Sequence, residues 1–206
     1  MYDKISRWYD LLEGNWETTA RVAGLRKLDA REGERVLEIG VGTGHNIVAL
    51  AHAVGESGKV YGFDLSPGML EATRARLRER GLVARVALEE GDAVRLPFEE
   101  GAFDAVFMSF TLELFDTPEI PEVVGECRRV LRVGGRICVV SISKAGGSSP
   151  MRELFEWGHH TFPAFLDCRP IFVQRALEEA GFQIVDATQI SLWGLPVEII
   201  LARKPG

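Results

Sequence analysis

The chain has 206 residues, 46% apolar and 26% charged, with a formal net charge of −6, which excludes a disordered or fibrous polypeptide. A chain of this length buries about 70% of the surface its unfolded form exposes, so a core forms without disulfide or metal. The negative balance leaves no electrostatic footprint for nucleic acid. Cys127, Cys138 and Cys168, odd in number and lacking a CxxC pair, argue against zinc and a secreted disulfide framework, and so favour a cytoplasmic location.

In chain order, Met1 to Trp8 carries Asp3, Lys4 and Arg7 and is not followed by an apolar stretch, so it is not read as a secretory signal. From about residue 34 to 143, short β-branched runs alternate with helical patterns, the rhythm of a parallel sheet covered on both faces. An amphipathic segment over Lys4–Leu12 is expected to lie across the top of that sheet or against its flank, with residues 1–30 forming a helical cap. Strands are predicted at Arg35–Gly40, Val60–Asp64, Ala84–Glu89, Ala105–Ser109 and Arg136–Ser143, with helices at His45–Ala53, Pro67–Arg80 and Glu119–Val133. Ser66-Pro67 supplies an N-cap and a first-turn proline, Gly81 stops that helix, and Gly134-Gly135 is expected to stop the next. Arg74, Arg76, Arg78 and Arg80 read as a solvated helix face offset by Glu71 and Glu79. The longest charge-free run, Ile39–Gly55, is broken by glycines and two histidines, so no membrane span is predicted. Residues 144–170 open on Lys-Ala-Gly-Gly-Ser-Ser-Pro and read as a flexible hinge and then an aromatic substrate flap. A helix over Ile171–Ala180 and two runs, Phe182–Ile190 and Val197–Ala202, come next, the two runs as an antiparallel hairpin. The fold class is therefore α/β in a single domain, 1–206, with five parallel strands finished by an antiparallel pair.

Three glycines lie within five residues, at Gly40, Gly42 and Gly44, between a buried strand and a helix start. In an open parallel sheet this turn is where a nucleotide-like ligand sits, and glycine lets the backbone approach it closely. The dinucleotide pattern GxGxxG fails in both registers, because its third glycine is replaced by His45 or by Ile47. Glu38, two residues before Gly40, would repel a pyrophosphate and attract the ammonium and sulfonium of S-adenosylmethionine. Asp64 ends the second strand at a spacing suited to accepting both ribose hydroxyls, and Asp92 can accept from an adenine amino group. Each acid alone is as readily a cap or turn residue. Three at the ends of three successive strands are a stronger signal.

These motifs resemble the class I S-adenosylmethionine-dependent methyltransferases. Val36-Leu-Glu-Ile-Gly-Val-Gly-Thr-Gly44 is similar to their first motif, Val60-Tyr-Gly-Phe-Asp-Leu-Ser66 with Met69-Leu70 to the second, and Glu90-Gly-Asp-Ala93 to the third. Leu96-Pro-Phe98 with Phe103-Asp-Ala-Val106 resembles the entry to the fourth strand, and Leu131-Arg-Val-Gly-Gly-Arg136 the turn into the fifth. The resemblance implies a Rossmann-like seven-stranded sheet whose last strand inserts antiparallel, with S-adenosylmethionine as cofactor and S-adenosylhomocysteine as product. It also implies cofactor contacts from Leu65, Met69, Ala93 and Ser109. Tyr2-Asp3 and Tyr9-Asp10 are similar to the N-terminal pattern of the ubiquinone and menaquinone C-methyltransferases and the phospholipid N-methyltransferases, which would place Tyr9 over the methionine end of the cofactor. An apolar helix face is the alternative reading of these aromatics.

The acceptor side is less legible. The stretch from Trp157 to Pro170 does not match the quinone enzymes; it suits a flap over a greasy, lipid-like substrate, an interfacial patch making peripheral membrane contact, or an ordinary amphipathic helix. Tyr2, Trp157, His159, Arg169 and Trp193 are candidates for contact with the acceptor. A carbon or oxygen nucleophile must lose a proton, and Glu113 and His160 are the candidate bases; an amine would instead want the aromatic faces of Tyr9, Trp157 and Trp193. No spacing of His, Cys or acids makes a convincing metal site. The competing functions are a nicotinamide-dependent oxidoreductase and a cofactor-binding module without catalysis.

Overall fold

The computed structural model of the protein describes residues 15–144, 170–192 and 195–206; the Lys4–Leu12 segment and the candidates Tyr2, Tyr9, Trp157, His159, His160, Arg169 and Trp193 lie outside the described residues. Seven strands form one sheet: β1 Arg35–Ile39, β2 Lys59–Asp64, β3 Val86–Glu90, β4 Phe103–Ser109, β5 Leu131–Ile142, β6 Gln183–Leu192 and β7 Leu195–Arg203. Their order is β3-β2-β1-β4-β5-β7-β6, with β1 to β5 parallel and β7 antiparallel to both its neighbours. The described helices are α1 Asn15–Leu28, α2 His45–Ala53, α3 Pro67–Glu79, α4 Ile120–Val130 and α5 Val173–Glu179.

Alternation along the strands explains the two covered faces. Leu37, Val106, Met108, Ile137 and Val139 join one core with Val123, Val124, Cys127 and Val130 of α4 and Leu177 of α5. Their neighbours Val36, Ala105, Phe107, Cys138 and Val140 point the other way and pack with Ala20 and Leu28 of α1, Ile47 and Leu50 of α2, and Leu70 and Leu77 of α3. Most of these side chains are fully buried, and a fully buried Leu or Phe contributes about 1.5–3 kcal/mol.

Local chemistry sets most boundaries as expected. The Ser66 hydroxyl accepts from the Met69 amide at 3.3 Å with Pro67 in the first turn, and Gly81 leaves α3 at φ 67°. Several boundaries shift by a residue or two, β3 among them because Val83–Arg85 forms a short 3-10 turn before it, and two move further. Helix α4 stops at Val130, and Leu131 is already extended and paired with Phe103, so β5 begins well before Arg136. Gly134, at φ 75°, thus belongs to an irregular stretch of that strand and does not terminate the helix. Helix α1 is legible in the sequence only as part of a cap. Its buried stripe is Ala20, Gly24 and Leu28, one residue every fourth, and small residues leave little apolar signal. Gly24 lies so close to the sheet that an added Cβ would come within 2.4 Å of Val140 Cγ2.

Candidate functional site

The sheet's parallel strands end at a cavity of about 630 Å³, formed where β1, β2, β3 and β4 give way to loops. Gly40 and Gly42, after β1, line its floor at φ 74° and 52°, a left-handed backbone that side chains resist. A Cβ on Gly40 would strike the Thr111 side chain at 2.2 Å, whereas one on Gly42 would meet no protein atom within 4 Å. The first glycine therefore serves packing, and the second leaves room for a ligand. Gly44 does not line the cavity. It opens α2 in a left-handed cap against Thr73, whose hydroxyl donates to the Gly42 carbonyl at 2.9 Å.

Asp64, at the end of β2, holds this loop from the other side. Its Oδ2 accepts from the Gly42 amide at 3.1 Å and its Oδ1 from the Ser66 amide at 2.9 Å. Burial raises its pKa, and backbone N–H groups, those of Ser66 and Gly42 first, oppose the rise. The carboxylate lines the cavity, where its geometry suits accepting from a diol as well. Leu65, Ser66 and Met69 continue the wall, Leu65 being 69% exposed beside an apolar cavity. Asp92 and Ala93 close the next side, and the Asp92 carboxylate accepts from the Val94 amide at 3.1 Å. Ser109, at the end of β4, faces the cavity with Phe110, which holds φ 52° while its amide donates to Val140 at 2.8 Å. Non-glycine residues in that conformation cost about 1–3 kcal/mol and gather at binding sites.

Besides Gly44, two expected acids lie elsewhere. Glu38 is fully buried and does not line the cavity, because it sits inside β1, in register with Gly62 and Phe107. Neither of its oxygens has a hydrogen bond of good geometry. Burial pushes its pKa up to about 8; the Asn46 amide opposes this, Asp64 adds to it, and Arg21 opposes it. Any pull it exerts on a cation is through this polar surround and not by contact. Glu113 is also fully buried and outside the cavity lining, and its Oε1 accepts from the Ile142 amide at 3.2 Å. The short turn Leu112–Leu114 carries it towards the end of β5, away from the cavity where a base would have to stand.

Several lining residues carry no clear mark in the sequence: Arg21, Thr43, Asn46, Phe110, Leu114 and Phe115. Thr43 stands inside the glycine motif, where a hydroxyl among glycines is the available signal. Arg21 has none, since its helix has no motif.

The comparisons with known proteins agree with this geometry. Residues 36–135 match a family described as a methyltransferase domain. Over 186 residues the chain is 31% identical to the demethylmenaquinone methyltransferase of Symbiobacterium thermophilum, covering 87% of this chain and 71% of that protein. The chain belongs to the class I S-adenosylmethionine-dependent methyltransferases. This methyltransferase is also 33% identical over 148 residues to the demethylmenaquinone methyltransferase of Anoxybacillus flavithermus, a match covering 70% of this chain and 61% of that relative's own length. A solved S-adenosylmethionine-dependent methyltransferase from Aquifex aeolicus superposes with a TM-score of 0.71 over 98% of both chains, at 21% identity, which speaks to the fold. The mostly parallel seven-stranded sheet is thus the family's, and the nicotinamide alternative is not favoured.

The family's cofactor is S-adenosylmethionine, and the residues present fit it. The cavity carries acids at Asp64 and Asp92 of the kind that accept from a ribose and an adenine, an open Gly42, and two hydroxyls, Thr43 Oγ1 and Ser109 Oγ, that are buried without a hydrogen-bond partner among the described residues. A buried hydroxyl left unpaired is costly, and a polar ligand relieves that cost. Among the described residues no cluster of His, Cys, Asp or Glu could hold a metal ion, and no helix is long and apolar enough to cross a membrane.

Proposed function

We propose that this methyltransferase acts on a ring carbon of a quinone-type, lipid-like acceptor. The observation that carries the reading is the apolar wall of the cavity beyond β4, where Phe110, Leu114 and Phe115 stand beside the strand end opposite the ribose acid. It accords with relatives that bear the name demethylmenaquinone methyltransferase. Asp64, Asp92, Gly42, Met69 and the Thr43 and Ser109 hydroxyls would hold the cofactor. When bound, the cofactor supplies a methyl group activated on a sulfonium. The chain's own contribution is alignment of the nucleophile in a pocket from which the apolar wall excludes water. A ring carbon is nucleophilic only in the reduced, quinol form, and it must shed a proton once substituted. Glu113 Oε1 is engaged by a backbone amide, so we assign Glu113 to positioning of the β5 end, with His160 as the candidate base. We further propose that residues 1–30 cap the site and that residues 144–170 bring Trp157, His159 and Arg169 to the acceptor, with Tyr2, Tyr9 and Trp193 around it. Residues 15–28 of the cap are the helix that carries Arg21 to the cavity.

The test is transfer of a labelled methyl group from S-adenosylmethionine, with a demethylated menaquinol and phosphatidylethanolamine offered in parallel. Mass spectrometry of the quinol product is expected to show one methyl in place of a ring hydrogen. Label on the phospholipid amine alone would replace the carbon acceptor with an amine.

A further inference from the structure

The turn after β1 is held from behind by helix α3. The Gly44 amide donates to the Val41 carbonyl at 3.0 Å, closing a four-residue turn with Gly42 and Thr43 at its centre. Gly42 has φ 52°, and Thr43 is not among the non-glycine residues of positive φ, the pattern of a type II′ turn. The same four residues could close as type I′, which needs positive φ at both central positions and turns the central peptide over. A β-branched Thr43 disfavours that conformation.

Thr73 fixes the choice. A threonine inside a helix commonly turns its hydroxyl back onto the carbonyl four residues earlier. Thr73 is fully buried in α3, and its hydroxyl instead crosses to the Gly42 carbonyl at 2.9 Å, 31 residues away in the chain. The Gly42 amide is held in turn by Asp64 Oδ2 at 3.1 Å, so this residue is tied at both its N–H and its C=O. A Cβ on Gly44 would come within 3.1 Å of the Thr73 Cα, which places α3 directly behind the turn. Thr73 does not line the cavity, whereas Gly42 and Thr43 do. The C=O and N–H of a trans peptide point to opposite sides. With the Gly42 carbonyl drawn back onto Thr73, the Thr43 N–H is turned outward, to the side of the cavity. Among the described residues no acceptor meets the Thr43 amide, and its hydroxyl is buried without a hydrogen-bond partner.

Resting on the cofactor reading above, we propose that Thr73, which touches no ligand, is a positioning residue: its hydroxyl holds the Gly42–Thr43 peptide in the orientation that presents an N–H to the cavity, so that the affinity of the turn is set from helix α3. Without that hydroxyl the Gly42 carbonyl loses its donor and the peptide is free to turn over. A ligand acceptor that met an N–H would then face a carbonyl oxygen, exchanging attraction for repulsion.

The experiment sets two substitutions of opposite kind against each other in the full chain. Thr73→Val keeps the buried volume and removes the donor, whereas Thr73→Ser keeps the donor and removes a buried methyl. Calorimetric titration with S-adenosylhomocysteine is compared with urea midpoints for both variants and the wild type. Thr73→Val is expected to weaken binding about 5- to 30-fold, and Thr73→Ser to bind within about threefold of wild type even though its midpoint falls. A merely structural role would make affinity follow the midpoint in both. In 15N-labelled wild type, the Thr43 amide proton is expected to move downfield when S-adenosylhomocysteine is added, which tests the orientation without any substitution. Thr73→Val binding within about twofold of wild type, Thr73→Ser losing as much as Thr73→Val, or a Thr43 amide proton indifferent to the ligand overturns the proposal and leaves the cofactor reading standing. A wild type that does not bind S-adenosylhomocysteine overturns the cofactor reading itself, and the proposal with it.

Discussion

Replacing Asp64 by alanine separates the loop-holding role that the structure shows from the ribose-binding role proposed for the same carboxylate. The side chain accepts from the Gly42 amide at 3.1 Å and the Ser66 amide at 2.9 Å, and so ties the glycine loop to the start of α3. Each bond to a charged acceptor contributes about 1.5–3 kcal/mol, reduced here because the carboxylate is only part-buried and water can reach the freed amides. The expected loss of stability is about 2–4 kcal/mol, read from urea midpoints. On the proposed cofactor reading the same carboxylate accepts from the ribose, and its removal is expected to cost about 2–3 kcal/mol of binding, a rise of about 30- to 150-fold in the Kd for S-adenosylhomocysteine. Asp64→Asn keeps one acceptor oxygen but turns an NH2 group on one of the two amides, so it falls between wild type and alanine in both measurements. A folded Asp64→Ala protein that binds S-adenosylhomocysteine within about threefold of wild type would refute the ribose assignment. It would leave the loop-holding role standing if stability still fell.

The Glu38 carboxyl is raised from its ordinary range to about 8, so the stability tied to its protonated form is complete below the ordinary glutamate value and is lost as pH rises through about 8. Urea midpoints should therefore decline between about pH 5 and 9 in the wild type and decline less in Glu38→Gln; identical slopes would show that Glu38 is not held neutral. Gly24→Ala gains helix propensity of about 1 kcal/mol but forces a methyl to within 2.4 Å of Val140 Cγ2, and is expected to lower stability by about 1–3 kcal/mol net; a stabilised variant would mean that α1 does not pack so closely. Glu113→Gln retains an oxygen for the Ile142 amide and is expected to keep turnover within about threefold, whereas a general base would lose about a hundredfold or more in single-turnover assays.

Much of the fold was legible because its signals are local. Helix α2 runs over the expected residues because Gly44 can adopt the left-handed cap that starts it, and α3 because Ser66 and Pro67 set its first turn. The three cavity positions Gly42, Asp64 and Asp92 were legible because in a parallel sheet the residues after each strand share one edge, so spacing along the chain becomes proximity in space. The start of β5 was not, since Gly134-Gly135 has the composition of a helix stop, and only pairing of Leu131 with Phe103 shows that the strand has already begun.

By itself the sequence determined what depends on period and punctuation: the alternating α/β rhythm, the glycine turn and the acids that come after successive strands. Tertiary structure alone decided which side chains face the cavity. Glu38 and Glu113 are acids near the right strand ends, yet one is enclosed within β1 and the other is turned onto the Ile142 amide, while Arg21, from a helix without any motif, reaches the cavity. The physical reason is that motif spacing places a backbone, whereas burial and packing against distant elements, here Gly24 against β4 and β5, direct the side chain.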